Sequence, residues 1–151
     1  MKPADIQVER LAVSDLDRAR VLFAMMAGVF ETDAEPLSDR YLTDLLARHD
    51  FWALCASIDG HPVGGLTAHM LPLTRAEVFE LFIYDIAVRP EFQRQGIGRR
   101  LVAALRSLGA ESGISVVFVP ADNEDTHALD FYRALGGTPA PVTIFTFSDD
   151  E

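Results

Sequence analysis

Apolar and polar positions change period several times along this chain, and each change predicts an element. Residues 5–13, DIQVERLAV, alternate loosely and predict a first strand. Leu16, Ala19, Leu22, Phe23 and Met26 then recur at helical spacing. The spacing predicts a helix capped by Ser14, with Asp17 three residues on as in a capping box, and ended by Gly28. Val29 to Leu37 reads as a loop holding Glu31, Asp33, Glu35 and a proline; Ser38 starts a second helix with Leu42, Leu45 and Leu46 inward. Phe51 to Ile58 is apolar and of strand length, and Asp59-Gly60 is a two-residue hairpin signal. The partner strand runs from Pro62 to about Leu71, and the adjacent Gly64 and Gly65 inside it predict a bulge or a close backbone approach. Pro72 to Ala76 is a loop, and Glu77 opens the next strand.

The second half is organised around Glu80 to Leu108. It reads ELFIYDIAV, a β-prone run, then RPEFQRQGIG, then RRLVAALRSL, in which Leu101, Val102, Leu105 and Leu108 share a helix face. Arg89-Pro90 breaks the strand, and Gly96 and Gly98 flank the helix start. Gly109 and Gly113 mark the end of that helix, and Ile114–Val119 is an apolar strand stopped by Pro120. Asp122 to Thr126 leads into a helix with Ala128, Leu129, Tyr132 and Leu135 on related faces, terminated by Gly136-Gly137. Val142–Phe147 reads as a last strand before an acidic terminus. This order predicts an α/β domain with a mixed, mostly antiparallel sheet.

A strand, a glycine-rich turn and a helix N-terminus suit a phosphate. The first helical amides lack partners inside the helix, and the dipole adds partial positive charge there. Arg94, Arg99 and Arg100 supply full cations nearby. No Lys-Ser/Thr follows the second glycine, which excludes a P-loop, and Q-R-Q-G-I-G lacks the G-x-G-x-x-G of a dinucleotide fingerprint. The run Ile86-Ala87-Val88-Arg89-Pro90 with Gln93-Arg94-Gln95-Gly96-Ile97-Gly98 resembles the acyl-CoA signature of GNAT N-acetyltransferases. The strand Tyr84 to Val88, Ala121-Asp122 with Asp125, and Ala128 to Tyr132 ahead of Leu135-Gly136 resemble the aminoglycoside 3-N-acetyltransferase branch. So do Tyr41-Leu42 with Leu45-Leu46, then Val63-Gly64-Gly65 and Leu71-Pro72.

The resemblance implies a GNAT fold over 1–151 as a single domain, with six to seven strands, about four helices and a V-shaped splay. Strand 80–88 would diverge from strand 114–119 to admit the pantetheine arm. It implies acetyl-CoA as co-substrate, held by Ile86, Ala87, Val88, Gln93, Arg94, Gln95, Gly96, Ile97, Gly98 and Arg99. It also implies a homodimer. The activity implied is acetyl transfer to the 3-amine of an aminoglycoside by direct attack in a ternary complex.

Composition narrows the partners. The 151 residues carry 13 Lys+Arg against 23 Asp+Glu, a net charge of −10, with a pI near 4.7 and mean hydropathy +0.14. This disfavours nucleic acid and anionic membranes and favours a cationic small molecule, although solubility alone also explains it. No apolar run approaches a bilayer span, and MKPADIQVER lacks a signal-peptide centre. The single cysteine, Cys55, excludes an intrachain disulfide framework and fits a reducing cytoplasm.

Acetyl transfer to an amine needs a proton acceptor for the ammonium and a donor for the departing thiolate. Asp85 is a lone carboxylate in an apolar strand segment, so it is a candidate base or a structural hydrogen-bond partner. Asp122 and Asp125 follow a strand's C-terminal end, as catalytic or acceptor-binding groups or, for Asp125, as a helix cap. Tyr132 matches the tyrosine that many GNAT enzymes place near the thioester sulfur; a packed core tyrosine is the alternative. Tyr84, Glu80, Glu31 and Asp33 are candidate acceptor contacts, with core, exposed-strand and solvated-loop roles as alternatives. His49, His61, His69 and His127 show no metal-ligand spacing, and no metal is expected. Two other functions stay open: acetylation of another small polycationic amine such as a polyamine, and a non-catalytic acyl-CoA-binding module.

Overall fold

The computed structural model describes residues 5–149, in two compact units that divide between Val119 and Pro120. The first unit is a five-stranded sheet in the order β1-β2-β3-β4-β5, formed by Ile6–Arg10, Phe51–Ile58, His61–Pro72, Phe79–Val88 and Val116–Phe118. The first three pairings are antiparallel and β4–β5 is parallel, so the sheet is mixed and mostly antiparallel as expected. Three helices belong to this unit: α1 (Leu16–Val29), α2 (Asp39–Ala47) and α3 (Ile97–Glu111). The second unit holds α4, Thr126–Ala134.

Several local expectations are met for their stated reasons. The Ser38 hydroxyl accepts from the Tyr41 amide at 3.1 Å and caps α2. Asp59 and Gly60 both have positive φ, 51° and 80°, which lets a two-residue turn follow the strand twist. The pairing register shifts between Ala56 and Ser57, beside Gly64-Gly65. Both glycines are also sites of close approach. A Cβ on Gly65 would lie 2.7 Å from Leu22 Cδ1 and Met26 Sδ, and one on Gly64 would lie 2.9 Å from Ile97 Cγ2.

These two glycines show how the sheet divides its faces. On one face Gly65, Phe51, Ala53, Cys55 and Ala87 meet Leu22 and Met26 of α1 and Leu42 and Leu46 of α2. On the other, Gly64 and Leu81 meet α3 through Ile97, Leu101 and Gly109. Leu22, Leu42, Leu54, Leu66, Leu81, Ile83, Leu101 and Leu105 are fully buried. Arg20 of α1 bonds the Leu37 carbonyl at 3.4 Å and pairs with Asp39, fastening the loop to the start of α2.

Other expectations are corrected. Five strands form among the described residues, not six to seven, while the four α-helices agree. Val142–Phe147 is not a strand. Its Val142, Ile144, Phe145 and Phe147 are 69, 70, 79 and 96% exposed: a β-prone run needs a hydrogen-bonded neighbour, and no strand among the described residues pairs with this one. The acidic end, Asp150 and Glu151, lies outside the described residues.

Ser14 does not cap α1. It sits in a 3₁₀ turn, Val13–Asp15, where the Ala12 amide donates to Asp15 Oδ2 at 2.8 Å, and α1 runs one residue past Gly28. Gly109 lies inside α3, where a Cβ would come 2.9 Å from Leu81 Cδ1, and Gly113 (φ +77°) lies just beyond the helix end. β5 covers only Val116–Phe118 of the expected 114–119, and β4 begins at Phe79, two residues after Glu77.

Gly64→Val should place its Cβ 2.9 Å from Ile97 Cγ2 and 3.2 Å from the Ala87 carbonyl, backbone that cannot swing away. We expect a loss of about 1–3 kcal/mol, read as a lower urea midpoint with unchanged slope.

Candidate active site

The site is set by how β4 is paired on its two edges. Toward β3 it is paired from Phe79↔Pro72 to Val88↔Gly64, with one shift of register between Thr67 and Ala68. Toward β5 it is paired only at Glu80, Phe82 and Leu81, opposite Val116, Phe118 and Val117. From Ile83 onward, among the described residues, no strand pairs with the second edge.

Backbone alternation says which amides occupy that open edge. The Arg89 amide donates to the Val63 carbonyl at 2.8 Å, so Arg89 and, two residues back, Ala87 face β3. Ile86 and Val88 therefore face the open edge. Of the three residues expected to meet the co-substrate through backbone groups, these two are available, and Ala87 has its side chain in the core. The Gln93 side chain donates to the Val88 carbonyl at 3.0 Å and braces the strand end against the turn.

The turn then presents its amides. Gly96 caps α3 in the left-handed conformation, φ 81°, and Arg94 before it also has positive φ, 65°. Arg100 is the first residue bonded back, to the Gly96 carbonyl at 3.0 Å, which leaves the amides of Ile97, Gly98 and Arg99 at the helix mouth. Ile97 is buried and anchors this end against Gly64. Arg94, Arg99 and Arg100 are exposed, and among the described residues none forms an ion pair. Three uncompensated cations and unpartnered amides beside a glycine cap fit a pyrophosphate, so these residues fit a coenzyme A moiety.

Asp85 is half-buried and accepts from Thr67 Oγ1 at 3.1 Å. The pairing shifts by one residue here: Thr67 faces Asp85, whereas Ala68 faces Ile83, so Tyr84 is the extra residue of a β-bulge. The bulge rotates the strand's pattern. Leu81 and Ile83 point to the α3 face, while Asp85 and Ala87 point to the α1–α2 face. Phe82 and Glu80, opposite in phase to Leu81, also point to the α1–α2 face. The bulge thus brings Glu80 and Asp85 to the same side of β4.

Tyr84 is 65% exposed, not a core tyrosine. Its ring meets His69 and Phe82 edge-on, at 5.8 and 5.9 Å between centroids. His69 had no metal-type spacing to single it out; its signal was its place on β3, two residues from Thr67 and four from Gly65, hence on the same face. Glu31, with φ 56°, and Asp33 are exposed on the α1–α2 loop and form no ion pair among the described residues.

The second unit holds Asp122, Asp125 and Tyr132. Asp122 is exposed, and Asp125 Oδ1 accepts from the Ala128 amide at 3.1 Å, which is helix capping. Tyr132 is half-buried and packs on Phe131 with centroids 5.1 Å apart. Burial first, and the Asp125 charge second, push its phenol above the ordinary value, so it stays protonated. His127 is exposed. In the first unit the Cys55 thiol is buried, and burial pushes it up, which leaves it a small core residue without nucleophilic character. Among the described residues no group of three or more His, Cys, Asp or Glu is placed to hold a metal ion, and no helix is long and apolar enough to cross a membrane.

The open strand edge and the glycine-capped helix define a class. The sequence profile of the acetyltransferase (GNAT) family matches residues 19–136, and the chain belongs to that family. Within it, the chain is similar to an aminoglycoside acetyltransferase, meta-AAC0020, from an uncultured soil metagenomic sample, solved in complex with trehalose: TM-score 0.91, 35% identity, 95% of each chain. The same enzyme in complex with sisomicin superposes with TM-score 0.91 at 34% identity over 95% of each chain. A curated relative, the [ribosomal protein bS18]-alanine N-acetyltransferase of Escherichia coli K12, is 29% identical over 70 residues, 46% of this chain and 47% of that protein. The match thus spans about half the length of that relative. AAC(6′)-Iy in complex with CoA shares the fold, with TM-score 0.81 at 17% identity over 98% of this chain and 97% of that one.

A phenol held protonated in the folded state stabilises the fold below its unfolded value near pH 10, and this contribution is lost as pH rises through the higher folded value. The difference in tyrosinate absorbance between the wild type and Tyr132→Phe should therefore have its midpoint above about 10.

Proposed function

We propose that this chain transfers the acetyl group of acetyl-CoA to the 3-amino group of aminoglycosides, by direct attack in a ternary complex, as a single-domain cytoplasmic enzyme. The observation that carries this reading is the similarity to meta-AAC0020 over 95% of both chains, joined to an open strand edge beside a basic, glycine-capped helix. The net charge of −10 supports a polycationic acceptor by attraction at long range. The exposed apolar run at Val142–Phe147 supports a homodimer, since a second copy would cover it.

In this reading Gln93 to Arg99, with Arg94 and Arg99 as the cations, hold the pyrophosphate, and the Ile86 and Val88 amides orient the thioester arm. Bound acetyl-CoA supplies the activated acetyl group. Asp85 accepts the proton that the acceptor ammonium must lose before its nitrogen has a lone pair, and Thr67 holds the carboxylate in place. Tyr132, kept protonated, donates to the departing thiolate as the new C–N bond replaces the C–S bond. Glu80, Tyr84, Asp122, Asp125, Glu31 and Asp33 contact the acceptor, and Asp122 is a second candidate for the base.

A second reading, acetylation of a protein's N-terminal amine, is favoured by the stretch of similarity to the ribosomal-protein alanine acetyltransferase. One assay separates the two. The purified protein with acetyl-CoA is offered aminoglycosides, polyamines and N-terminal peptides, with thiol release followed and the acetylated nitrogen mapped. Acetylation at the 3-amine is expected; modification of polyamines or peptides alone would overturn the aminoglycoside assignment, and CoA binding without turnover would point to a binding module.

Asp85→Asn should lower kcat/KM by about 10²–10⁴ while CoA affinity is retained. Arg94→Ala should instead raise the KM for acetyl-CoA and leave kcat near wild type, because a phosphate contact is made equally before and during the reaction.

A further inference from the structure

Five strand residues and one helix residue place their rings in a continuous row on the α1–α2 face of the sheet. Phe23 meets Phe51 at 6.5 Å, Phe51 meets His69 at 5.4 Å, and His69 meets Tyr84 at 5.8 Å. Tyr84 meets Phe82 at 5.9 Å, and Phe82 meets Phe118 at 5.1 Å. The row begins in the core, where Phe51 is 6% exposed, and ends in the open, where Tyr84 is 65% and Phe118 41% exposed. It crosses β2, β3, β4 and β5, so hairpin pairing alone does not account for it.

A row of this kind is a poor way to finish a core. Only its Phe51 end lies under α1 and α2, and Tyr84 reaches it through the bulge, which adds a residue with no cross-strand partner. The same bulge sets Glu80 and Asp85 on this face beside the rings. Aromatic faces with carboxylates at their margin complement one chemical class: a saturated ring with an apolar C–H face and ammonium substituents. The C–H face stacks on the rings, which an open chain cannot do equally, and the carboxylates pair with the cations.

We propose that His69, Tyr84, Phe82 and Phe118 form a stacking platform for an amino-substituted saturated ring, and that His69 and Tyr84 select ringed acceptors over open-chain polyamines. This rests on the proposed acetyl transfer to aminoglycosides and adds to it how the acceptor ring is held. His69 also positions Tyr84: its ring meets the Tyr84 ring edge-on, between Phe51 and the open end.

The test is calorimetric titration of the full chain with sisomicin, a ringed polyamine, and with spermidine, an open-chain one. Tyr84→Leu and His69→Leu should weaken sisomicin binding about tenfold and leave spermidine and CoA binding within twofold, and Tyr84→Phe and His69→Phe should restore it. Urea midpoints of all four variants identify any loss caused by unfolding. Equal losses for sisomicin and spermidine, no loss for either, or failure of the Phe variants to restore binding would each overturn the platform. Turnover with acetyl-CoA is read separately: selective sisomicin binding without acetylation would leave the platform standing and overturn the proposed reaction.

Discussion

The structure depends on a backbone constraint: each edge of a strand uses only alternate amides, so β4 needs a neighbour on both sides, and only its β3 edge has one over nearly its whole length. On the β3 edge the pairing runs from Phe79 to Val88 and is interrupted only by the bulge at Tyr84; on the β5 edge it ends at Phe82. Among the described residues no strand pairs with the amides beyond it, and Ile86 and Val88 sit there, next to the mouth of α3. An unsatisfied sheet edge is costly if buried and a liability if exposed. It becomes an asset where an extended, amide-bearing ligand such as a pantetheine arm completes it. The Gln93 side chain on the Val88 carbonyl marks where the protein closes the edge itself and the helix mouth takes over.

The bulge at Tyr84 is the second device, and it acts by phase. Without it, Leu81, Ile83, Asp85 and Ala87 would all face α3, and a carboxylate would be driven into the apolar layer occupied by Leu81, Ile97 and Leu101. One extra residue moves Asp85 to the opposite face, where the Thr67 hydroxyl satisfies it. The carboxylate therefore costs the core nothing and remains close to the open edge. The glycines at 64 and 65 do the matching work on β3, letting Ile97 of α3 on one side and Leu22 and Met26 of α1 on the other approach the sheet closely. Adding a Cβ at either would push α3 or α1 away from the sheet.

Much of this was legible along the chain. The strand, glycine turn and helix at 80–108 announced themselves through period and punctuation, and the local signals at Ser38, Asp59-Gly60 and Gly96 performed as their chemistry dictates. Errors arose where one residue type has two uses. Gly109 looked like a terminator but is a packing contact, Ser14 looked like a cap but yields to Asp15, and Val142–Phe147 has strand composition without a strand's partner. His69 was invisible as a functional candidate because a ring contact with Tyr84 leaves no trace in sequence spacing.

By itself, the sequence determined what is local: helix and strand periods, turns that need positive φ, and a glycine turn suited to a phosphate, whose amides and arginines lie within a few residues of one another. The tertiary structure decided what depends on neighbours distant along the chain. Those are the point at which β5 leaves β4, the phase that puts Asp85 beside Thr67, the number of strands, and the ring row joining Phe51 to Phe118. The division follows from the forces involved. Backbone conformation and capping are set by adjacent residues, whereas pairing, register and side-chain contacts are set by which segments compete for the same edge or the same space.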